Sequence, residues 1–240
     1  MNKENKKNYY IIADLHLSEV RVQATALFER FLADITNKDN SLYILGDFFD
    51  YWIGDDAISP FNLHIADLLA HAHDSGLQIY FMSGNRDFLI GQRFAKRAKI
   101  TLVSDPHVLV LSKITILLMH GDLLCTDDKS YQIFRKIVRN KLIQWLYLRL
   151  PLRLREKLAK GIRITSHKKN AKYKVIDVTE KGIQKYLGKH KTLIHGHTHL
   201  FNIHHQQNYI RYVLGDWFKN ASYVHIDRHC NIHLLRYFKK

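Results

Sequence analysis

Tyr9-Tyr10-Ile11-Ile12-Ala13-Asp14-Leu15-His16 is the stretch on which the fold turns. A short run of aromatic and β-branched residues reads as a buried strand. It ends in a carboxylate and an imidazole two residues apart, a spacing that points both side chains the same way on extended backbone. The form returns four times. Leu42-Tyr43-Ile44-Leu45 runs into Gly46-Asp47, and Ile79-Tyr80-Phe81-Met82 leads to Gly84-Asn85-Arg86-Asp87. Ile114-Thr115-Ile116-Leu117-Leu118-Met119 runs into His120-Gly121-Asp122, and Thr192-Leu193-Ile194 into His195-Gly196-His197-Thr198-His199. Open α/β sheets build their sites at the carboxyl ends of strands, and each of these ends carries a group able to bind a metal.

Helical spacing fills the gaps. Leu27, Phe28, Phe31, Leu32 and Ile35 predict a helix over 22–35, and Leu63, Ile65, Ala66, Leu68 and Leu69 predict one over 61–73, with Gly76 as its stop. Strands alternating with helices argue for layered α/β packing. Three more strands are expected over 211–215, 222–226 and 232–237. A chain of 240 residues, 46% hydrophobic, suits one domain with a real core. No apolar run is long enough to cross a bilayer. The first eight residues are polar and lysine-rich, without the apolar stretch of a signal peptide, so a cytosolic chain is expected. Cys125 and Cys230 are far apart and read as free thiols.

The formal charge of +15 calls for an anionic partner: nucleic acid, a phosphorylated substrate or an acidic membrane. Its distribution is uneven. Residues 129–174 hold 15 Lys/Arg against one acidic residue, Glu156. Helices are expected over 131–148 and 151–162, with another from 166 or 170 to 187. Together they form a basic amphipathic insertion over about 127–187. It is either a solvated helical pair or a cap that touches an acidic membrane or an amphiphilic substrate.

Asp14, His16, Asp47, Asn85, His120, His197 and His199 make seven oxygen and nitrogen donors with no thiolate. Such a set suits Mn²⁺, Fe²⁺ or Zn²⁺ better than Ca²⁺ or a structural zinc site. Seven donors exceed one tetrahedral ion, and two ions sharing Asp47 are the economical solution. Paired metals activate water and stabilise an in-line phosphorus transition state. Lone histidines such as His64, His107 and His225 read as structural.

The ordered set of five motifs resembles the calcineurin-like metallophosphoesterases. That resemblance implies a four-layer αββα sandwich around a dinuclear centre, with the basic helical cap inserted. Arg86 stands where the family usually has a histidine after the asparagine. An arginine can bind a phosphate oxygen but cannot act as a general acid. Longer strings narrow the likeness: Trp52-Ile53-Gly54-Asp55-Asp56, Gly84-Asn85-Arg86-Asp87-Phe88-Leu89 and Leu124-Cys125-Thr126-Asp127-Asp128. They resemble the branch of the family that cleaves the pyrophosphate of UDP-2,3-diacylglucosamine during lipid A biosynthesis.

What this implies is a hydrolase with two Mn²⁺ ions. Asp14, His16, Asp47 and His199 would hold one, and Asp47, Asn85, His120 and His197 the other. Arg86, Asp47 and Asn85 would be catalytic. Asn85, Arg86, Asp128, Tyr131, Arg163, Ser166, Asn170, His197 and either Lys172 or Lys174 would contact substrate. Phe134, Ile137, Trp145 and Leu146 would line an acyl channel beneath the cap. Trp52 reads as packing that props the loop carrying Asp47. The expected setting is peripheral, on the cytoplasmic face of a bacterial inner membrane, as a monomer without nucleic acid. Another dinuclear phosphodiesterase, nucleotide pyrophosphatase or nuclease stays open. A binding module that has lost catalysis is disfavoured, because all seven donor positions are filled.

Overall fold

The computed structural model describes residues 7–172, 177–218 and 221–238, the side chains of 163–172 excepted. Two sheets stack face to face. In the first, β1 (Asn8–Ile12), β2 (Asn40–Leu45), β3 (Gln78–Met82) and β4 (Thr101–Val103) run parallel. Antiparallel β10 (Ala221–Ile226) and β11 (Ile232–Tyr237) continue it past β1, giving the order β11-β10-β1-β2-β3-β4. The second contains β5 (His107–Val110), β6 (Thr115–Met119), β7 (Thr192–His195), β8 (Asn202–His205) and β9 (Ile210–Val213). Its order is β5-β6-β7-β9-β8, with β6, β7 and β9 parallel.

Side-chain alternation along the strands sorts the layers. Ile12, Leu42, Ile44 and Phe81 pack against Phe28, Phe31, Ile65 and Phe94, carried by α1 (Val22–Ile35), α2 (Pro60–Asp74) and α3 (Gln92–Arg97). The intervening Ile11, Tyr43 and Leu45 turn the other way and meet Ile116, Leu118, Ile194 and Tyr212 between the sheets. On the far side of the second sheet, Leu117, Met119 and Leu193 cover Ile183 and Leu187 of α7 (Glu180–Leu187). The result is a four-layer αββα arrangement. All six residues of β2 are buried, which is why that strand reads as a near-continuous apolar run. Full burial of each large apolar side chain contributes about 1.5–3 kcal/mol.

Between β6 and β7 lie α4 (Lys129–Val138), α5 (Lys141–Leu148), α6 (Leu152–Lys172) and α7. The single helix expected over 131–148 is broken at Asn140, whose side chain accepts from Leu142 N (2.9 Å) and Ile143 N (3.3 Å) and starts a new helix. The next helix runs past its expected end at 162, since no proline or cap stops it. The last starts only at Glu180, where Thr179 accepts from Gly182 N at 3.0 Å. It belongs to the outer layer rather than standing over the site. Neither α4 nor α5 buries a residue: Ile137, Trp145 and Leu146 are about half exposed, not enclosed beneath the helices. Short β4, β5, β8 and α3 were not expected, being three to six residues long. Trp52 is packing, as expected: buried, edge-on to Phe94 at 4.8 Å and donating to Asp55 Oδ1 at 3.0 Å.

Candidate metal centre

The seven donors all follow the carboxyl ends of parallel strands: Asp14 and His16 after β1, Asp47 after β2, Asn85 after β3, His120 after β6, His197 and His199 after β7. Five of the seven described non-glycine residues with positive φ are here: Asp14 (59°), His16 (50°), Asp47 (50°), His197 (68°) and His199 (57°). Left-handed backbone costs a non-glycine residue about 1–2 kcal/mol, and such strain gathers at functional sites. The loops are laced together to hold it. Asp14 N donates to Gly46 O (3.1 Å), His16 N to Asp47 O (2.9 Å), Gly196 N to His120 O (2.9 Å) and His197 N to Asp14 Oδ2 (2.7 Å). Gly46 (φ 85°) and Gly84 touch backbone to backbone; a Cβ on Gly46 would stand 2.3 Å from Gly84 N. That contact explains the glycine before both Asp47 and Asn85.

The donor atoms converge. Those of Asp14, His16 and His199 lie within 4.8 Å of one another, as do those of Asp14, Asp47 and His120. Asn85 Oδ1 is 2.8 Å from His120 Nε2 and 2.9 Å from His197 Nδ1. His120 Nδ1 donates to the Leu45 carbonyl at 2.8 Å, so Nε2 is the atom turned toward Asn85 Oδ1 and Asp47 Oδ1 (3.7 Å). Acceptors aimed at one point call for positive charge between them. Both ring nitrogens of His16 are buried without a hydrogen-bond partner among the described residues, and Asp14 Oδ1 has no closer polar contact than His199 Nε2 at 3.4 Å. Buried polar atoms are almost always paired, so these orphans fit a divalent cation.

The concentrated carboxylate charge, which a proton or a cation can balance, shows in the histidines. Burial alone would push the His120 imidazole down, yet Asp47, Asp122, Asp14 and Asp105 raise it to about 9. Burial likewise opposes protonation of His199, while Asp14 and Asp216 lift it to about 10. Burial would raise the Asp14 carboxyl, but His199, His120 and His16 hold it below the usual carboxylate range. Burial pushes His16 down to about 4, so it stays a neutral donor.

Arg86 sits at the rim. Its Nη1 donates to Asp50 Oδ1 (3.0 Å), its Nε lies 3.5 Å from Asp47 Oδ2, and its backbone N donates to Asp47 Oδ1 (2.9 Å). Asp128 spends Oδ1 on capping α4, accepting from Tyr131 N (2.9 Å) and Ser130 Oγ (2.8 Å). Tyr131 donates to Asp122 Oδ2 at 2.6 Å, with its ring 6.0 Å from that of His197. The side chains of Arg163, Ser166, Asn170 and Lys172, and all of Lys174, lie outside the described residues. Sequence reading missed Asp216, whose Oδ2 is 3.6 Å from His199 Nδ1. The signal was present: Tyr212-Val213-Leu214-Gly215-Asp216 is a sixth apolar run ending in Gly-Asp.

The family profile described as calcineurin-like phosphoesterase matches residues 8–201. The chain belongs to that family. Family membership makes it a hydrolase with a metal-binding site. Its likeness to curated relatives covers nearly its full length. It is 45% identical over 233 residues to a UDP-2,3-diacylglucosamine hydrolase of Edwardsiella ictaluri, covering 93% of this chain and 90% of that protein. The protein of the same name from Haemophilus influenzae is 46% identical over 228 residues (92% and 95% covered). That from Neisseria meningitidis is 44% identical over 229 residues, with the same coverage.

Proposed function

We propose that this phosphoesterase hydrolyses the pyrophosphate bond of UDP-2,3-diacylglucosamine, giving UMP and 2,3-diacylglucosamine 1-phosphate, a step of lipid A biosynthesis. The carrying observation is that a chain 44–46% identical to hydrolases of that name brings the seven donors together in overlapping groups, Asp14 linking His16 and His199 to Asp47 and His120, and Asn85 linking His120 to His197. Asp14, His16, Asp47 and His199 would hold one Mn²⁺, and Asp47, Asn85, His120 and His197 would hold the other. Bound divalent cations supply a lowered water pKa and neutralisation of charge building on the phosphorus oxygens.

The protein's own groups do the rest. The Arg86 guanidinium is anchored by Asp50 and offers charge-assisted hydrogen bonds to a phosphoryl oxygen. It keeps its proton throughout. The leaving group is a phosphate, which departs without a strong general acid, consistent with arginine in this place. Asp128, Tyr131, Arg163, Ser166, Asn170 and either Lys172 or Lys174 are assigned to substrate contact, from the part of the insertion that precedes α7.

No helix among the described residues is long and apolar enough to cross a membrane. Ile133, Leu142, Trp145 and Leu146 are exposed beside a dense run of lysine and arginine. That pairing supports peripheral attachment to an anionic membrane surface; the proposed setting is the cytoplasmic side of the inner membrane, with the chain as a monomer. The test is UMP release from UDP-2,3-diacylglucosamine with Mn²⁺, with a chelator control and with UDP-sugars and DNA as competitors. Equal turnover of unacylated UDP-sugars, or activity that survives chelation, refutes the reading.

A further inference from the structure

Two cations of α4 turn inward. Tyr131, Arg135 and Arg139 follow one another at four-residue spacing, which places them along one side of α4. Arg135 Nε donates to Asp122 Oδ2 at 2.7 Å, beside the Tyr131 hydroxyl at 2.6 Å, and its Nη2 reaches Asp105 Oδ2 at 3.5 Å. Asp105 Oδ1 in turn accepts from the backbone N of His120 at 3.3 Å. One turn on, at the end of α4, Arg139 donates from Nη1 to Ser83 Oγ (3.1 Å) and from Nη2 to the carbonyls of Gly84 (2.7 Å) and Ser83 (3.3 Å). Every anchor adjoins a donor. Gly84 precedes Asn85, Asp105 holds the His120 backbone, and Asp122 is two residues beyond His120. Lys136, between the two arginines, is exposed.

We propose that Arg135 and Arg139 are positioning residues: α4 acts as a splint across the loops bearing Asn85 and His120, fixing the half of the centre farther from His16. The inference rests on the dinuclear reading above. Neither arginine touches the donor atoms; each acts through a loop. Outer residues of this kind typically carry a 10–100-fold effect on metal affinity.

The test is Mn²⁺ titration of the chelator-stripped full-length chain, followed by calorimetry or by the paramagnetic signal of free Mn²⁺. The expected outcome is two ions bound by the native chain. In Arg135→Met and Arg139→Met one site should keep its affinity while the other weakens 10–100-fold. Arg139→Lys, which retains charge and a donor, should recover part of the loss, and Lys136→Met should match the native protein. Selective weakening of one site is what general loosening would not produce. Native two-site binding in Arg139→Met and Arg139→Lys, or equal weakening of both sites, overturns the proposal. Failure of the native chain to take up two ions refutes the dinuclear reading instead.

Discussion

Asp47 stands between the two groups of donors, 4.0 Å from His16 Nδ1 through Oδ2 and 3.7 Å from His120 Nε2 through Oδ1. Asp47→Asn keeps a residue tolerant of positive φ but removes the charge that the two proposed cations would share. Turnover should fall below detection, with far-ultraviolet circular dichroism unchanged; native activity would exclude a bridging role. Arg86→Ala should cost roughly 2–4 kcal/mol of transition-state stabilisation, read as a fall in kcat with a lesser change in KM. The donors were legible in the sequence because each closes an apolar run. Asp216 has the same form and was passed over, since a strand ending at Gly215 left it looking like a loop residue. Arg135 and Arg139 were not legible. A helix rich in lysine and arginine reads as a solvated face, and only tertiary contact tells the inward cations from the rest.

At the scale of elements, α7 shows how closely the outer layer seals the loop after His120. Leu124 O accepts from Thr179 N at 3.0 Å, and a Cβ on Gly182 would lie 2.3 Å from that same oxygen. Gly→Ala inside a helix ordinarily stabilises by about 1 kcal/mol. Here the methyl meets backbone that cannot step aside. Gly182→Ala should therefore destabilise by about 1–3 kcal/mol, measured by urea denaturation; a gain in stability would mean that α7 does not pack so tightly. Long elements were legible: β1, β2, β3, α1 and α2 sit within a residue or two of their expected bounds. Short β4, β5 and β8 carry too few residues for a period to show. The α4–α5 break turned on one side chain, Asn140, inside a pattern that continues on both sides.

For the whole molecule, nearly all of the formal +15 comes from residues 129–174, so the remaining surface is close to neutral. The charge thus coincides with the densest group of exposed apolar side chains, Ile133 to Ile162 between β6 and β7. Sedimentation with vesicles should show binding to anionic but not zwitterionic lipid, weakened by salt as expected for Lys/Arg contacts near a charged surface. Equal binding to both lipids would remove the electrostatic part of the attachment. The layered architecture was legible from alternation and loop order, because the parallel strands that carry donors are also the buried ones.

The most direct measurement is anomalous X-ray scattering at the manganese edge from crystals grown with Mn²⁺. The expected result is two peaks about 3.5–4 Å apart, one beside Asp14, His16 and His199 and the other beside Asn85, His120 and His197, with Asp47 between them. A single peak, or peaks away from these seven side chains, would contradict a dinuclear centre.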